Sequence, residues 1–473
     1  MSIQNSISLP SSHRDVAGLE KTKLWIHENP TAVKVIEIAS LLTGIGMLVA
    51  IPLSAPLLTT GAVIGLALSG TALTTASSAA LYTLDILIPP HHDMKDHVFT
   101  PGECEGGKLF YLGDVPVLTL NSDDSFKSGY AHGYLCGNAI NKLTKRLDLI
   151  MHTLAHQKRA SELPKTLEKI RSTIPADYFI EMQGIVAGYE EWSKKHSLQF
   201  PKKLSVDDIL LLHLMPDSLH FDPSLLEHQT SQAGQESAVA CTAIVDRDPQ
   251  QGMVFARNMD WPSFGLAGSN SLLINRQSAK KGHSTLEVGI PGLVGTLTGM
   301  NDHGLALAMN VCSGYTREIR GMPASLFNRA CLERCRTTAD VDRFVSMNSP
   351  LGPYHLTIAD RDSAKSFHFY QSYQETHTTR QLADNQPLVT LNYCYNPQPR
   401  CDMHHSSDRQ QQLDQFFHRR ENKPLQEALA LPFVNNWLTT HRVVMEPKTG
   451  TFQVAFDNAF AGTAPLQSLL FKK

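Results

Sequence analysis

Hydrophobic and polar positions follow three successive patterns along the chain. Residues 38–84 carry no charge at all, and a bilayer-crossing helix needs only about 20 apolar residues. Pro52 and Pro56 interrupt the run, because proline removes a helix hydrogen bond and clashes with the preceding turn. The pattern predicts a hydrophobic helical hairpin over residues 38–90, preceded by a polar tail at 1–37. Gly61 and Gly65 in its second half have the spacing that lets two helices approach closely.

Between residues 100 and 240 the period becomes that of amphipathic helices. Ile140, Leu143, Leu147 and Ile150 recur at intervals of 3, 4 and 3, with lysines and arginines between them. Further helices are expected over 179–192 and 209–214. The segment reads as a separate helical region that ends in an exposed, Gln- and Ser-rich loop at 229–237. Beyond Cys241 the pattern turns to strands. Residues 242–245 and 253–257 are β-prone runs around a turn-rich connector at 246–252, which predicts a hairpin. Residues 241–473 are therefore expected to form a separate, strand-rich domain.

Composition narrows the setting. The 473 residues carry a formal net charge of −3, which gives no footing for a nucleic-acid partner. Charged residues make up 18% and hydrophobic residues 42%. The eight cysteines are scattered, unlike a disulfide framework, and Pro30 blocks the Asn29-Pro30-Thr31 glycosylation acceptor. These features favour a reducing, bacterial setting. A late, overlong apolar run fits poorly with a cleaved signal peptide, so the chain is expected to be membrane-associated. Two spans would put the N-terminus and residues 241–473 on the same face. Mixed flanking charges, Lys21, Lys23 and Lys34 against Glu20, Glu28 and Glu37, leave the direction open.

The predicted hairpin returns Arg257 and Asp260 towards Cys241. A thiol attacks an amide as thiolate, and a neighbouring base or cation must help to form it. A chain-terminal cysteine carries its own base, the α-amine, whose ordinary pKa is near 8. Asp260 can orient that amine, and Arg257 can favour the thiolate and hold a substrate oxygen. The oxyanion needs donors, which side-chain amides supply. The plainer alternatives are a core cysteine, an Arg–Asp pair at a hairpin and turn-capping asparagines.

Here the residues carry a family resemblance. Ala240-Cys241-Thr242-Ala243-Ile244-Val245, followed by Ala256-Arg257-Asn258-Met259-Asp260-Trp261, resembles the cysteine-type N-terminal-nucleophile (Ntn) hydrolases. That group includes acid ceramidase, N-acylethanolamine-hydrolysing acid amidase, choloylglycine hydrolase with penicillin V acylase, and isopenicillin N acyltransferase-like peptidases. Residues 299–310 resemble the family's Asn-x-x-Gly-Leu strand pair ending in an oxyanion-hole asparagine, which falls on Asn310. Residues 355–360 resemble the strand and turn between the two halves of the domain. Thr390-Leu391-Asn392-Tyr393 resembles the second asparagine motif, and Ser406-Ser407-Asp408-Arg409 the Ser-x-x-Arg that brings in a final arginine, for which Arg400 competes with Arg409. Gly129-Tyr130-Ala131-His132-Gly133 resembles a pro-region motif, although a histidine near a helix start also serves structure alone. The resemblance spans roughly residues 123–417. Tyr393-Cys394-Tyr395 departs from its more polar pattern, and the N-terminal hairpin has no counterpart in it.

The resemblance implies an α+β fold, a four-layer αββα sandwich of two antiparallel sheets behind the helical pro-region. It implies autoproteolysis between Ala240 and Cys241, then hydrolysis of a non-peptide N-acyl amide through a Cys241 thioester. The site would comprise Cys241, Arg257, Asp260, Asn310, Asn392 and Arg409, with no cofactor and no metal. Adjacent His91-His92 and His404-His405 diverge on any regular element, and Cys331 and Cys335 have no further ligands near in sequence. The expected partner is a small-molecule amide; the apolar hairpin, with Met259 and Trp261 beside the motif, points to a lipid-like acyl chain. Two alternatives stand: acyl transfer to an amine, and an unprocessed, non-catalytic membrane protein that keeps the fold.

Overall fold

The structure, a computed structural model, describes residues 98–144, 163–196, 203–214, 217, 240–261, 270–277, 282–312, 321–369, 377–384, 386–393, 406–420, 423–435, 439–456 and 466–471. The expected tail and hairpin, the loop at 229–237, Arg400 and the two histidine pairs lie outside these residues. Among the described residues no helix is long and apolar enough to cross a membrane.

The chain opens on strands β1 (Gly102–Cys104), β2 (Gly107–Leu112) and β3 (Val115–Leu120), then helices α1 (Ser125–Leu135), α2 (Leu163–Arg171), α3 (Ala176–Lys195) and α4 (Val206–Leu214). An all-helical segment from 100 to 240 is therefore corrected. Leu109 is buried beside exposed Lys108, the alternation of a strand, and Gly113 supplies the left-handed residue of the β2–β3 turn at φ 58. The three strands pair antiparallel, and β3 runs parallel to β6 (Leu272–Arg276). They thus extend a sheet of the later domain.

The remaining elements are β4 (Ala240–Asp248), β5 (Gly252–Asp260), β7 (Thr285–Gly289), β8 (Thr298–Asn301), β9 (Ala306–Val311), α5 (Ala324–Arg334), α6 (Thr338–Met347), β10 (Tyr354–Ala359), β11 (Ala364–Phe369), β12 (His377–Gln381), β13 (Leu388–Thr390), α7 (Ser406–His418), a 3-10 helix (Leu425–Ala430), β14 (Thr439–Glu446), β15 (Thr451–Phe456) and β16 (Gln467–Leu470). One sheet runs β1-β2-β3-β6-β7-β8-β9-β10-β11-β12 and the other β13-β4-β5-β14-β15-β16. The β4–β5 hairpin is tighter than its sequence suggests. Asp248 Oδ1 accepts from the amides of Gln250 and Gln251 at 2.8 and 2.9 Å, and Gly252 takes φ 80, so both strands extend almost to the turn.

Alternation along the strands sorts the core into three apolar layers. Val117, Val245, Phe255, Leu273, Ala308 and Val443 meet between the sheets. Leu118, Ile274, Leu307 and Leu356 face the helices with Met182, Ile185 and Phe327. Ile244, Val254 and Val444 pack beneath Leu413 of α7 and Leu429 of the 3-10 helix. Two antiparallel-rich sheets between helices make this an α+β sandwich. At one end the interior turns polar: Cys241, Arg257, Thr298, Asn310, His355, His368 and His441 replace the aliphatic residues that lie further along the same strands, and all are buried.

Candidate active site

Strand register explains how sequence neighbours become spatial ones. In the β4–β5 ladder Cys241 faces Met259 and Ala243 faces Arg257, which sets Cys241 and Arg257 diagonally on one sheet face. Arg257 Nη2 lies 3.5 Å from Cys241 Sγ. The rest of the guanidinium is clamped from the other sheet and from β14. It donates to Thr298 Oγ1, to the Met309 carbonyl and to the Leu297 carbonyl (3.4 Å), and it lies 3.4 Å from His441 Nε2. Burial pushes the Arg257 pKa down, while Cys241 and Asp260 oppose the shift; an arginine so placed keeps its charge. Burial first, and Arg257 second, push His441 well below its ordinary range, so it stands neutral beside the cation.

The backbone of Cys241 is gripped on both sides. Its nitrogen donates to Asn392 Oδ1 at 2.7 Å, and its carbonyl accepts from Asn310 Nδ2 at 3.2 Å and from Arg409 Nη1 at 2.7 Å. Asn392 Nδ2 donates in turn to the Val311 carbonyl (2.6 Å), and Asn310 Nδ2 to the Thr390 carbonyl (2.8 Å), which ties β9 to β13 across the sandwich. Arg409 Nη2 donates to Asn392 Oδ1 and Ser406 Oγ, each at 2.9 Å, and Nη1 reaches Thr242 Oγ1 at 3.1 Å. Asp260 Oδ1 accepts from Thr439 Oγ1 at 2.6 Å. Its partner across the β4–β5 ladder is Ala240, so the carboxylate marks the strand end where the Ala240–Cys241 bond lies.

Cys241, Arg257, Asn310, Asn392 and Arg409 are thus joined by direct contacts, and Asp260 lies one ladder position away. The three asparagine and arginine contacts hold the backbone of Cys241, which is positioning. Sequence reasoning passed over Thr298 and His441. Their signal was faint: each is a polar residue in line with apolar ones on its strand, Thr298 with Met300 and His441 with Val443 and Met445. The Asn301-Asp302-His303-Gly304-Leu305 segment proves to be a turn. Asn301 Oδ1 accepts from the amides of His303 and Leu305 (3.1 and 3.0 Å), and a Cβ on Gly304, at φ 85, would meet the Pro447 carbonyl at 2.2 Å.

Residues 247–429 match the family model for acyl-coenzyme A:6-aminopenicillanic acid acyl-transferase. That stretch is less than half of the 473 residues, and over it the chain is similar to the cysteine Ntn-hydrolase group. The stretch that matches starts after Cys241 and contains the other five site residues. An uncharacterized protein of Archaeoglobus fulgidus is 23% identical over 270 residues, which cover 54% of this chain and 43% of that relative. The match therefore spans less than half of the archaeal protein. Two solved structures align as well, at a TM-score of 0.36 each. An N-acylethanolamine-hydrolyzing acid amidase ortholog from Caenorhabditis elegans is 21% identical and covers 44% of this chain and 93% of its own. A conjugated bile acid hydrolase from Clostridium perfringens is 14% identical and covers 48% and 92%.

Proposed function

We propose that this chain is an amide hydrolase of the Ntn kind whose nucleophile is the Cys241 thiol. The observation that carries the reading is the Arg257 guanidinium 3.5 Å from Sγ, while Asn392, Asn310 and Arg409 hold the backbone on either side of the same residue. A cation at that distance favours the thiolate, and a thiolate fixed by its own backbone attacks from one position.

Maturation would be a cut between Ala240 and Cys241: Sγ adds to the Ala240 carbonyl, the C–N bond breaks as the Cys241 nitrogen takes the thiol proton, and water hydrolyses the thioester to the Ala240 carboxylic acid and the free thiol. The freed α-amine, next to Asn392 Oδ1, then takes the thiol proton. The thiolate adds to the acyl carbonyl of the substrate, the C–N bond breaks, and the amine leaves with that proton. Water, deprotonated by the same α-amine, hydrolyses the thioester to the carboxylic acid. Asp260 would orient the α-amine. A lipid-like acyl chain is favoured by the apolar run at 38–84, the basis also for reading the chain as membrane-associated, and by Met259, which shares a sheet face with Cys241.

Acyl transfer is the second reading, favoured by the acyltransferase description of the matching family. There an amine replaces water at the thioester. Intact-mass analysis and a panel of N-acyl amides test both. A fragment beginning at Cys241 and release of free acid support hydrolysis; an N-acyl product on adding amine supports transfer. Replacement Cys241→Ala is expected to abolish cut and turnover together. A Cys241→Ala protein still cut at the same bond would remove Cys241 from processing.

A further inference from the structure

The cross-strand row that includes Asn310 on β9 continues through His355 on β10 to His368 on β11. Cys312, two residues beyond Asn310, returns to the same side of the chain. The donor atoms of Cys312, His355 and His368 lie within 4.8 Å of one another, and all three residues are buried. The two imidazole rings stand 4.4 Å apart between centroids. This cluster lies outside the bonds that hold Cys241.

A second observation concerns orientation. His355 Nε2 lies 2.6 Å from the Tyr393 carbonyl. A carbonyl only accepts, so Nε2 carries the proton and the lone pair is on Nδ1. An imidazole tied through its far nitrogen to a backbone carbonyl is the arrangement that orients histidine ligands on metals. One thiolate and two imidazoles select zinc-class ions over calcium or magnesium. On a tetrahedral zinc, donors at 2.0–2.3 Å stand about 3.4–3.6 Å apart, so separations within 4.8 Å need to shorten by no more than about 1.4 Å.

We propose that Cys312, His355 and His368 form a site for one zinc-class divalent cation, with its fourth position filled by a ligand other than these three. Binding displaces the Cys312 thiol proton to solvent. The ion clips the ends of β9, β10 and β11 to the segment that carries Asn392 and Tyr393, so it acts on the framework of the candidate site. The inference does not depend on the proposed reaction.

Cobalt titration of the Cys241→Ala protein tests it, because that background removes the Cys241 thiol as another source of signal. One equivalent of Co2+ is expected to give a near-ultraviolet thiolate-to-cobalt charge-transfer band, which Zn2+ abolishes by displacement. Cys312→Ser should remove the band. His368→Gln should weaken Co2+ binding by more than about tenfold, a loss seen even for groups that only orient a ligand. Absence of the band in the protein that retains Cys312 overturns the proposal, and this reading needs no further variant to fold. So does a band that survives Cys312→Ser. Metal bound without the band, and lost in His303→Gln, overturns it too, placing the ion instead at His283, Asp302 and His303, the half-buried cluster at the β7–β8 end.

Discussion

Arg257 shows what one side chain does when five donors are fixed in a plane. Its contacts come from β8, from β9, from the loop before β8 and from Cys241. A lysine keeps the charge but cannot span these acceptors from one nitrogen. Arg257→Lys is expected to lower kcat/KM by about 10²–10³-fold, the range for losing one aimed donor in a dry site. Activity within about threefold of the parent would take Arg257 out of the mechanism. At this scale the sequence was informative for a simple reason. A hairpin brings positions sixteen residues apart into a diagonal pair, so Cys241 and Arg257 could be read together. Thr298 and His441 could not, because they stand 41 and 184 positions from Arg257 and meet it only through sheet pairing.

Among the elements, α1 and α3 carry the clearest case of sequence dictating packing. Gly129 and Gly133 on α1 oppose Gly184 and Gly188 on α3. A Cβ on Gly129 would lie 2.0 Å from the Glu181 carbonyl, on Gly133 2.0 Å from that of Ile185, on Gly184 2.2 Å from that of Phe126, and on Gly188 2.1 Å from that of Tyr130. The glycines of the Gly129-Tyr130-Ala131-His132-Gly133 motif thus permit a backbone-to-backbone helix crossing. Gly133→Ala is expected to cost about 1–3 kcal/mol in urea unfolding, the typical penalty for overpacking, because the obstructing atom is backbone and cannot rotate away. Exposed Lys127→Ala on the same helix should stay within about 0.5 kcal/mol. Equal effects of the two would refute the crossing as the reason for the glycine. Helices α3 and α4 were legible from their period, expected over 179–192 and 209–214 and found at Ala176–Lys195 and Val206–Leu214. Strands β1–β3 were not, since they are 3–6 residues long and Pro116 in β3 argues against a central strand on sequence grounds.

Across the whole molecule, the residues before Cys241 are built into the domain that follows it. Glu181 of α3 receives Arg276 Nη1 at 2.5 Å and Arg329 Nη1 at 2.7 Å, and both arginines also donate to the Val294 carbonyl, at 3.2 and 3.0 Å. Burial alone would raise the Glu181 pKa, yet the two arginines hold it down at about 2. The same stretch is held by two histidines acting as acceptors. His132 Nε2 accepts from the Gly292 amide at 3.0 Å, and His213 Nε2 from Val294 and Gly295 at 2.9 and 3.2 Å. This stretch leads straight into Leu297 and Thr298, which hold Arg257, so its anchorage reaches the candidate site. Burial keeps both imidazoles neutral and lowers their pKa values to about 3 for His132 and about 4 for His213. Unfolded, each takes up a proton near pH 6.5. Below that pH the unfolded chain binds more protons than the folded one, so stability falls as the solution is acidified. Each histidine removes about 1.4 kcal/mol per pH unit between 6.5 and its folded value, or roughly 2 kcal/mol by pH 5. Glutamine keeps an acceptor oxygen without titrating. The His213→Gln protein should therefore lose about 2 kcal/mol less than the parent between pH 7.5 and 5, whatever its stability at pH 7.5. Urea unfolding at the two pH values measures this difference directly. An identical pH dependence in parent and variant would mean that His213 is not held neutral by the fold, and that the clamp on residues 292–295 does not weaken with acid.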